Sequence, residues 1–402
     1  MSRVFFFTFQ DCFGLTGGGQ GVVYRLYQAN KKYNLFKEVY FVFNDRVIHN
    51  TEDIGKVENK PIISQKNKNA RKYIPGIVYI IKKKIDNKRR MLKLREISEN
   101  IGFTKDDIFI FHDYEVAYPF IREFQYDNVI LVYHMQGGIY NEWCDTWGRK
   151  SGVLHAYYNK ILKGLFRSMK YICFPSKGAL EALTDNEPEI CKELNRDKIK
   201  YLYNGVSCED QNINPVWLEP YMEYKGIVFA TVAALNSAKA VERIPKVLGK
   251  LKDKGYEFKW FLVGDGVKSD EVSSAIDSYD IKSNTIWIRN RIRHEEVLSL
   301  FKRSDFYIIL HKYSIFDLST LEAMHYGCIP VLSYIGGNKE VIIDENGLFI
   351  DEESGIEDLE RLIKTSRKEL KEKNIRIQEM FFSEEAFINK YHQLCMYIAS
   401  GL

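Results

Sequence analysis

The stretch SIFDLSTLEAMHYGCIPVLSYIGGNKEVI, residues 314–342, runs from a polar loop into a short helix, an apolar strand and a glycine turn. Gly327 ends the helix, Pro330 begins the strand, and Gly336 with Gly337 makes the turn before Glu340. A helix passing straight into a continuously apolar strand is half of a βαβ unit. Working outward, DFYIILH (305–311), TIWIRN (285–290), FKWFLVGDG (258–266) and GIVFATVAAL (226–235) read as strands of the same kind, with helical segments such as VERIPKVLGKLKDKG (241–255) between them. The N-terminal half repeats the pattern with RVFFFTF (3–9), VYFVF (39–43), IFIFHDY (108–114), NVILVYH (128–134), KYICFPS (170–176) and KYLYN (200–204). Runs that are apolar throughout, rather than alternating, belong to parallel strands buried on both faces. The chain therefore reads as α/β, with two doubly wound, Rossmann-like parallel-sheet domains. The first spans residues 1–210 and the second 220–380; the polar stretch 209–220 is the hinge, and the segment 381–402 is a last helix that packs back on the first domain. Ligands of such sheets bind at the carboxyl ends of the strands, here in the cleft expected between the two domains.

Composition agrees with this reading and narrows it. The chain has 402 residues, 45% hydrophobic and 28% charged, which is the balance of a folded protein of two or three domains and excludes a collagen-like or disordered one. The seven cysteines are dispersed and form no Cys-x-x-Cys pair, which fits a reducing cytoplasm rather than a disulfide scaffold or zinc site. No apolar run reaches the roughly 18–20 residues that cross a bilayer, and VFFFTF is expected to be a strand rather than a signal peptide. The net charge of +4 conceals an asymmetry: residues 1–200 hold 33 Lys and Arg against 23 Asp and Glu, while residues 201–402 hold 25 against 31. Part of the basic excess lies in KKKIDNKRRMLKLR, residues 82–95. Such a run is either a solvated helix face or a contact with an anionic partner such as a membrane surface. No nucleic-acid recognition motif accompanies it.

Five motifs fall in strand-to-helix loops, where function is expected. GLTGGGQGVVYRL (14–26) is a glycine turn opening a helix, which lets backbone amides approach an anion, or else only makes a tight connection. His112 and His134 each end an apolar strand and can donate a hydrogen bond to a hydroxyl or phosphate, or serve the core. In VAALNSAKAVERI (232–244), Lys239 is expected at the start of a helix, where the dipole disfavours a cation unless an anion such as a diphosphate compensates. VGDG (263–266) is a tight turn. In the opening stretch, a carboxylate at Glu322 can accept both hydroxyls of a ribose, and the amides of Asp317, Leu318 and Ser319 can hold a phosphate.

The order of these motifs resembles that of the GT-B glycosyltransferases, in particular the retaining glycosyltransferase family 4. Lys239, Gly264 with Gly266, and Leu321-Glu322-Ala323-Met324 with Gly327 and Pro330 match its C-terminal pattern. Gly17–Gly19, the PSKGALEAL stretch from Pro175 and Asn204–Val206 match in the N-terminal half. The chain departs from the family at Ala234, where an arginine is usual, at Ser314, where the first glutamate of the Glu-x7-Glu element is usual, and at Asp317, a usual glycine. The resemblance implies a GT-B enzyme that transfers a sugar, with retention, from a nucleotide diphosphate sugar, a UDP-sugar being the expected donor. The acceptor would be a glycan, lipid-linked or protein-linked, as in bacterial surface polysaccharide synthesis. It implies catalytic roles for His112, Lys239 and Glu322. The implied donor site comprises Gly18, Gly19, Lys239, Gly264, Gly266, Asn290, Ser314, Phe316, Asp317, Leu318, Ser319 and Glu322, and the implied acceptor site Gly17, His112 and His134. With no Asp-x-Asp element, no metal is expected, and the expected place is the cytoplasm or its membrane face. Ser314 and Ala234 also support a rival reading, a catalytically inactive GT-B partner subunit or chaperone; an epimerase on the same fold is a third.

Overall fold

The computed structural model describes residues 2–8, 11–12, 21–56, 75–135, 137–147, 150–208, 213–365 and 367–401. It divides the chain into two compact units, Met1–Tyr203 with Ile388–Leu402, and Asn204–Phe387.

The first unit holds strands β1 (Val4–Phe7), β2 (Val39–Val42), β3 (Arg46–His49), β4 (Glu52–Lys56), β5 (Ile108–Phe111), β6 (Val129–Val132), β7 (Tyr171–Phe174) and β8 (Ile199–Tyr201). They form one sheet in the order β4-β3-β2-β1-β5-β6-β7-β8. From β2 to β8 every neighbouring pair is parallel. The hairpin β3–β4 adds to the edge of β2 in antiparallel fashion, and sequence reading did not anticipate it. Its strands are short and carry charged residues, so they lack the apolar runs that announce a buried strand. Phenylalanines fill the core: Phe7 stacks on Phe111 at 4.5 Å, and Phe120 packs on Phe111 at 4.8 Å and Phe109 at 5.0 Å. The last helix, Glu384–Ala399, brings Tyr391 against Phe6 and His392 against Phe36 within this unit.

The second unit holds β9 (Ile227–Val232), β10 (Phe258–Val263), β11 (Thr285–Ile288), β12 (Phe306–Ile309), β13 (Ile329–Leu332) and β14 (Leu348–Phe349), in the order β11-β10-β9-β12-β13-β14. All its pairs are parallel. Trp260 is wholly buried, and its indole N–H donates to Thr231 Oγ1 at 3.0 Å, which in turn donates to the Ile308 carbonyl at 2.6 Å. The ring thus adds apolar bulk without stranding its one polar atom.

In each sheet the strand order reverses beside the first strand of the unit, between β1 and β5 and between β9 and β12. The loops leaving the carboxyl ends of those strands diverge there and leave a crevice. These loops carry His112 in the first unit, and Lys239 and Asp317 in the second.

Candidate functional site

In the second unit, the loop after β9 is shaped by Asn236, whose Oδ1 accepts from the amides of Ala238 and Lys239, each at 3.1 Å. The loop after β12 is fastened to it: the amide of Lys312 donates to the Ala238 carbonyl at 2.9 Å. Lys239 thereby faces the helix Leu318–His325, and its ammonium pairs with the carboxylate of Asp317. Lys239 precedes its helix rather than starting it, since a 3-10 turn at Val241–Arg243 comes first. The anion that Lys239 meets inside the chain is therefore Asp317.

Asp317 is buried and fully used. As N-cap of Leu318–His325 its Oδ2 accepts from the Thr320 amide at 3.1 Å and from the Thr320 hydroxyl at 2.8 Å, while the Tyr307 hydroxyl donates to it at 3.2 Å. Burial opposes its charge, but Lys239 and the neighbouring His311 hold its carboxyl well below the usual range. His311 lies two residues beyond β12, with its Nε2 3.2 Å from the Lys239 ammonium and 3.6 Å from Asp317 Oδ1; burial lowers its own pKa, which favours the neutral ring. The cap takes only the Thr320 amide, so the amides of Leu318 and Ser319 remain at the open end of the helix.

Glu322 lies one turn further along the same helix. Its Oε1 is 3.0 Å from His294 Nε2, and this bond raises the histidine's pKa. His294 begins the helix His294–Arg303, just beyond the exposed Asn290.

The glycines of the two C-terminal turns act on backbone packing. Gly264 has φ +139°, and a Cβ there would strike the carbonyl oxygen of Ala233. A Cβ on Gly337 would strike that of Ile315, and its amide donates to the Ser314 carbonyl at 2.9 Å. These contacts press the loops 233–235 and 314–316 into their paths. Gly266 does the same against Leu235. Phe316 packs its ring 5.5 Å from that of Phe382.

In the first unit, His112 and His134 share a hydrogen bond, Nδ1 to Nε2 at 2.9 Å. One ring donates and the other accepts, so the two cannot both be charged while paired. Burial lowers the pKa of His112 well below the ordinary value, with His134 and Arg25 adding to the effect; burial and Arg25 bring that of His134 to about 3. Tyr391 stacks on His112 at 5.7 Å. His112 Nε2 is buried with no hydrogen-bond partner among the described residues. The glycine turn with Gly17, Gly18 and Gly19 lies outside the described residues. Among the described residues no group of three His, Cys, Asp or Glu is placed to hold a metal ion.

The structure thus brings together Lys239 with Asp317, and His112 with His134. It adds three residues that sequence reading did not single out: His294, His311 and Tyr307. His311 carried a usable signal, because it ends an apolar strand as His112 and His134 do. His294 carried none, since its meeting with Glu322 joins residues 28 apart through the fold.

Residues 222–378 match the family model described as glycosyl transferases group 1. An uncharacterised glycosyltransferase of Methanocaldococcus jannaschii is 25% identical over 172 residues, 40% of this chain and 44% of that one. The chain spans less than half the length of the curated relatives it matches. Sucrose-phosphate synthase of Thermosynechococcus elongatus superposes over the whole of both chains with a TM-score of 0.69 at 12% identity. The Anabaena protein HepE, solved in complex with UDP-glucose, does so with a TM-score of 0.59 at 14% identity. The fold is that of the GT-B glycosyltransferases, two parallel-sheet α/β domains.

Proposed function

We propose that this protein is a retaining glycosyltransferase that moves a sugar from a nucleotide diphosphate sugar, with UDP as the nucleotide, to a glycan, lipid-linked or protein-linked acceptor. Surface polysaccharide or glycoconjugate synthesis at the cytoplasmic face of a membrane is the setting that fits. The observation that carries the reading is the placement of the Lys239 ammonium, paired with Asp317, at the N-terminus of the helix that bears Glu322, inside the segment matching group 1 transferases.

In this reading Glu322 accepts the ribose hydroxyls. The ammonium of Lys239 has three N–H donors; Asp317 takes one and His311 lies within reach of another, which leaves at least one for a phosphate oxygen. The amides of Leu318 and Ser319 add their dipoles to the departing diphosphate. Ser314 and Phe316 belong to the loop after β12 and Asn290 to the loop after β11; in this reading all three line the donor site, with Ser314 assigned to the sugar. The neutral His112–His134 pair offers an N–H to a sugar hydroxyl. No strong base is needed: the leaving diphosphate takes the acceptor's proton if both reactants are held in place.

Calorimetry with UDP and UDP-glucose tests this. Glu322→Gln removes a charge-assisted bond of roughly 1.5–3 kcal/mol, so affinity should fall about 10- to 100-fold. Lack of binding by the wild type at millimolar nucleotide overturns the transferase. The inactive-subunit reading then stands, and one observation favours it: with Ala234 supplying no cation, the ammonium of Lys239 is already neutralised by Asp317. For the active enzyme, the anomeric configuration of the first-formed product, read by NMR, decides retention.

A further inference from the structure

The basic stretch 82–95 lies within the helix Gly76–Ile101, and the fold divides it into two faces. Three of its eight basic residues turn inward: Lys83 and Arg90 both pair with Glu115, and Lys93 donates to the Asn44 carbonyl. Arg95 is exposed but engaged by Glu123. Ile80, Leu94 and Ile97 are buried on that side. Lys83, Arg90 and Lys93 are bound within the unit and are not available to an outside partner.

The outward face is of a different kind. Ile77, Val78, Ile81, Ile85 and Leu92 are each 48–59% exposed. At 3.6 residues per turn they fall within an arc of about 100° along some four turns, with the exposed Lys88 inside that arc between Ile85 and Leu92. Lys84 edges one side of the stripe, and Lys82 and Arg89 the other, all exposed. The nearest acidic side chain, Asp86, sits outside the arc, 3.7 Å from Arg89. Glu96 and Glu99 come only beyond Leu92.

We infer that this face is a membrane-docking surface, on which the helix lies in the plane of an anionic phospholipid bilayer with Ile77, Ile81, Ile85 and Leu92 inserted and the flanking cations among the headgroups. An exposed apolar stripe with basic edges is the pattern of a helix that lies on a membrane. No helix among the described residues is long and apolar enough to cross one. Charge complementarity selects the occupant. A second copy of the chain laid against the stripe would set Lys82, Lys84, Lys88 and Arg89 against the same cations. An anionic leaflet supplies the opposite charge along the whole length. This deepens the membrane setting of the proposed function and changes its mechanism: the contact is apolar insertion steered by four cations, not attraction by eight. It needs no nucleotide, so its failure and that of the donor site are read separately.

The test is co-sedimentation of the full chain with phosphatidylcholine vesicles, with and without phosphatidylglycerol. Binding is expected only with the anionic lipid. Ile81→Asn with Ile85→Asn should lower partitioning about tenfold or more, since two buried side chains are lost. Lys82→Gln or Lys88→Gln should each lower it about fivefold. All four positions are exposed, so circular dichroism and UDP binding should not change. Four results overturn the inference: no vesicle binding by the wild type, equal binding to neutral vesicles, binding insensitive to the two isoleucines, or a dimer in solution that the isoleucine variant abolishes.

Discussion

The His112–His134 pair makes the first unit sensitive to acid by a calculable amount. Both imidazoles are neutral in the folded chain, and burial brings the pKa of His134 to about 3. In the unfolded chain each would titrate near 6.5. The folded pKa is depressed, so the unfolded state binds protons that the native state refuses. The stability this provides is complete above about pH 6.5 and is lost progressively as pH falls towards 3. Between pH 7 and pH 5, His134 alone accounts for a loss of about 2 kcal/mol. His134 is only partly buried, which makes this an upper figure, while His112 adds a loss of the same sign. His134→Gln abolishes the titration at that position, so its stability should fall less on acidification by up to that amount. At pH 7 the same variant starts lower by about 1–3 kcal/mol, because His112 Nδ1 loses its partner. Urea unfolding at both pH values, followed by hydrogen exchange in β5 and β6, reads this unit apart from the other. With a urea slope of about 2–3 kcal/mol/M, the difference amounts to a midpoint shift approaching 1 M. Equal acid losses in wild type and variant would refute the reasoning. So would an imidazole NMR signal from either histidine that titrates near pH 6.5 in the folded protein.

Three further outcomes follow from the second unit. Asp317→Ala should lower its stability by about 2–4 kcal/mol, seen as a fall in Tm, because it removes a helix cap and the carboxylate that the Thr320 and Tyr307 hydroxyls and the Lys239 ammonium share, leaving Tyr307 only the Val232 carbonyl. Gly264→Ala should destabilise by several kcal/mol or abolish soluble expression, since φ +139° and the Ala233 carbonyl both exclude a side chain. Sugar transfer should persist in EDTA; loss that Mn²⁺ or Mg²⁺ restores would contradict Lys239 and the helix amides as the phosphate ligands.

The parallel strands were legible because burial on both faces forces runs such as VFFF and VILV, which almost no other element needs. The edge hairpin Arg46–Lys56 was not, because its short strands carry charged residues among the apolar ones and so show no continuous apolar run. The same distinction holds at the site. Lys239, Glu322 and the strand-ending histidines could be singled out because each stands at a strand-to-helix junction, a place defined along the chain. What each one touches could not. That Asp317 would take the Lys239 ammonium, and that His294 would meet Glu322, depends on how loops 78 and 28 residues apart are brought together. The division of residues 82–95 into an inward and an outward face likewise depends on which side of the helix meets the unit. Composition counts the eight cations alike.

In the proposed reading, the arrangement around Lys239 also decides where donor affinity should come from. Ala234 contributes no charge, and Asp317 contributes one negative charge beside the Lys239 cation, so the side chains at the proposed phosphate position sum to about zero. A diphosphate entering such a place gains little from net attraction. What it can gain comes from one ammonium N–H and the open amides of Leu318 and Ser319, which are directional and act only at close range. Glu322, by contrast, offers a full carboxylate to neutral hydroxyls, and its only described partner is an exposed, displaceable imidazole. Binding in the proposed reading is therefore anchored at the ribose. The phosphate contacts contribute most when negative charge builds on the leaving oxygen, which is when they raise the rate rather than the affinity.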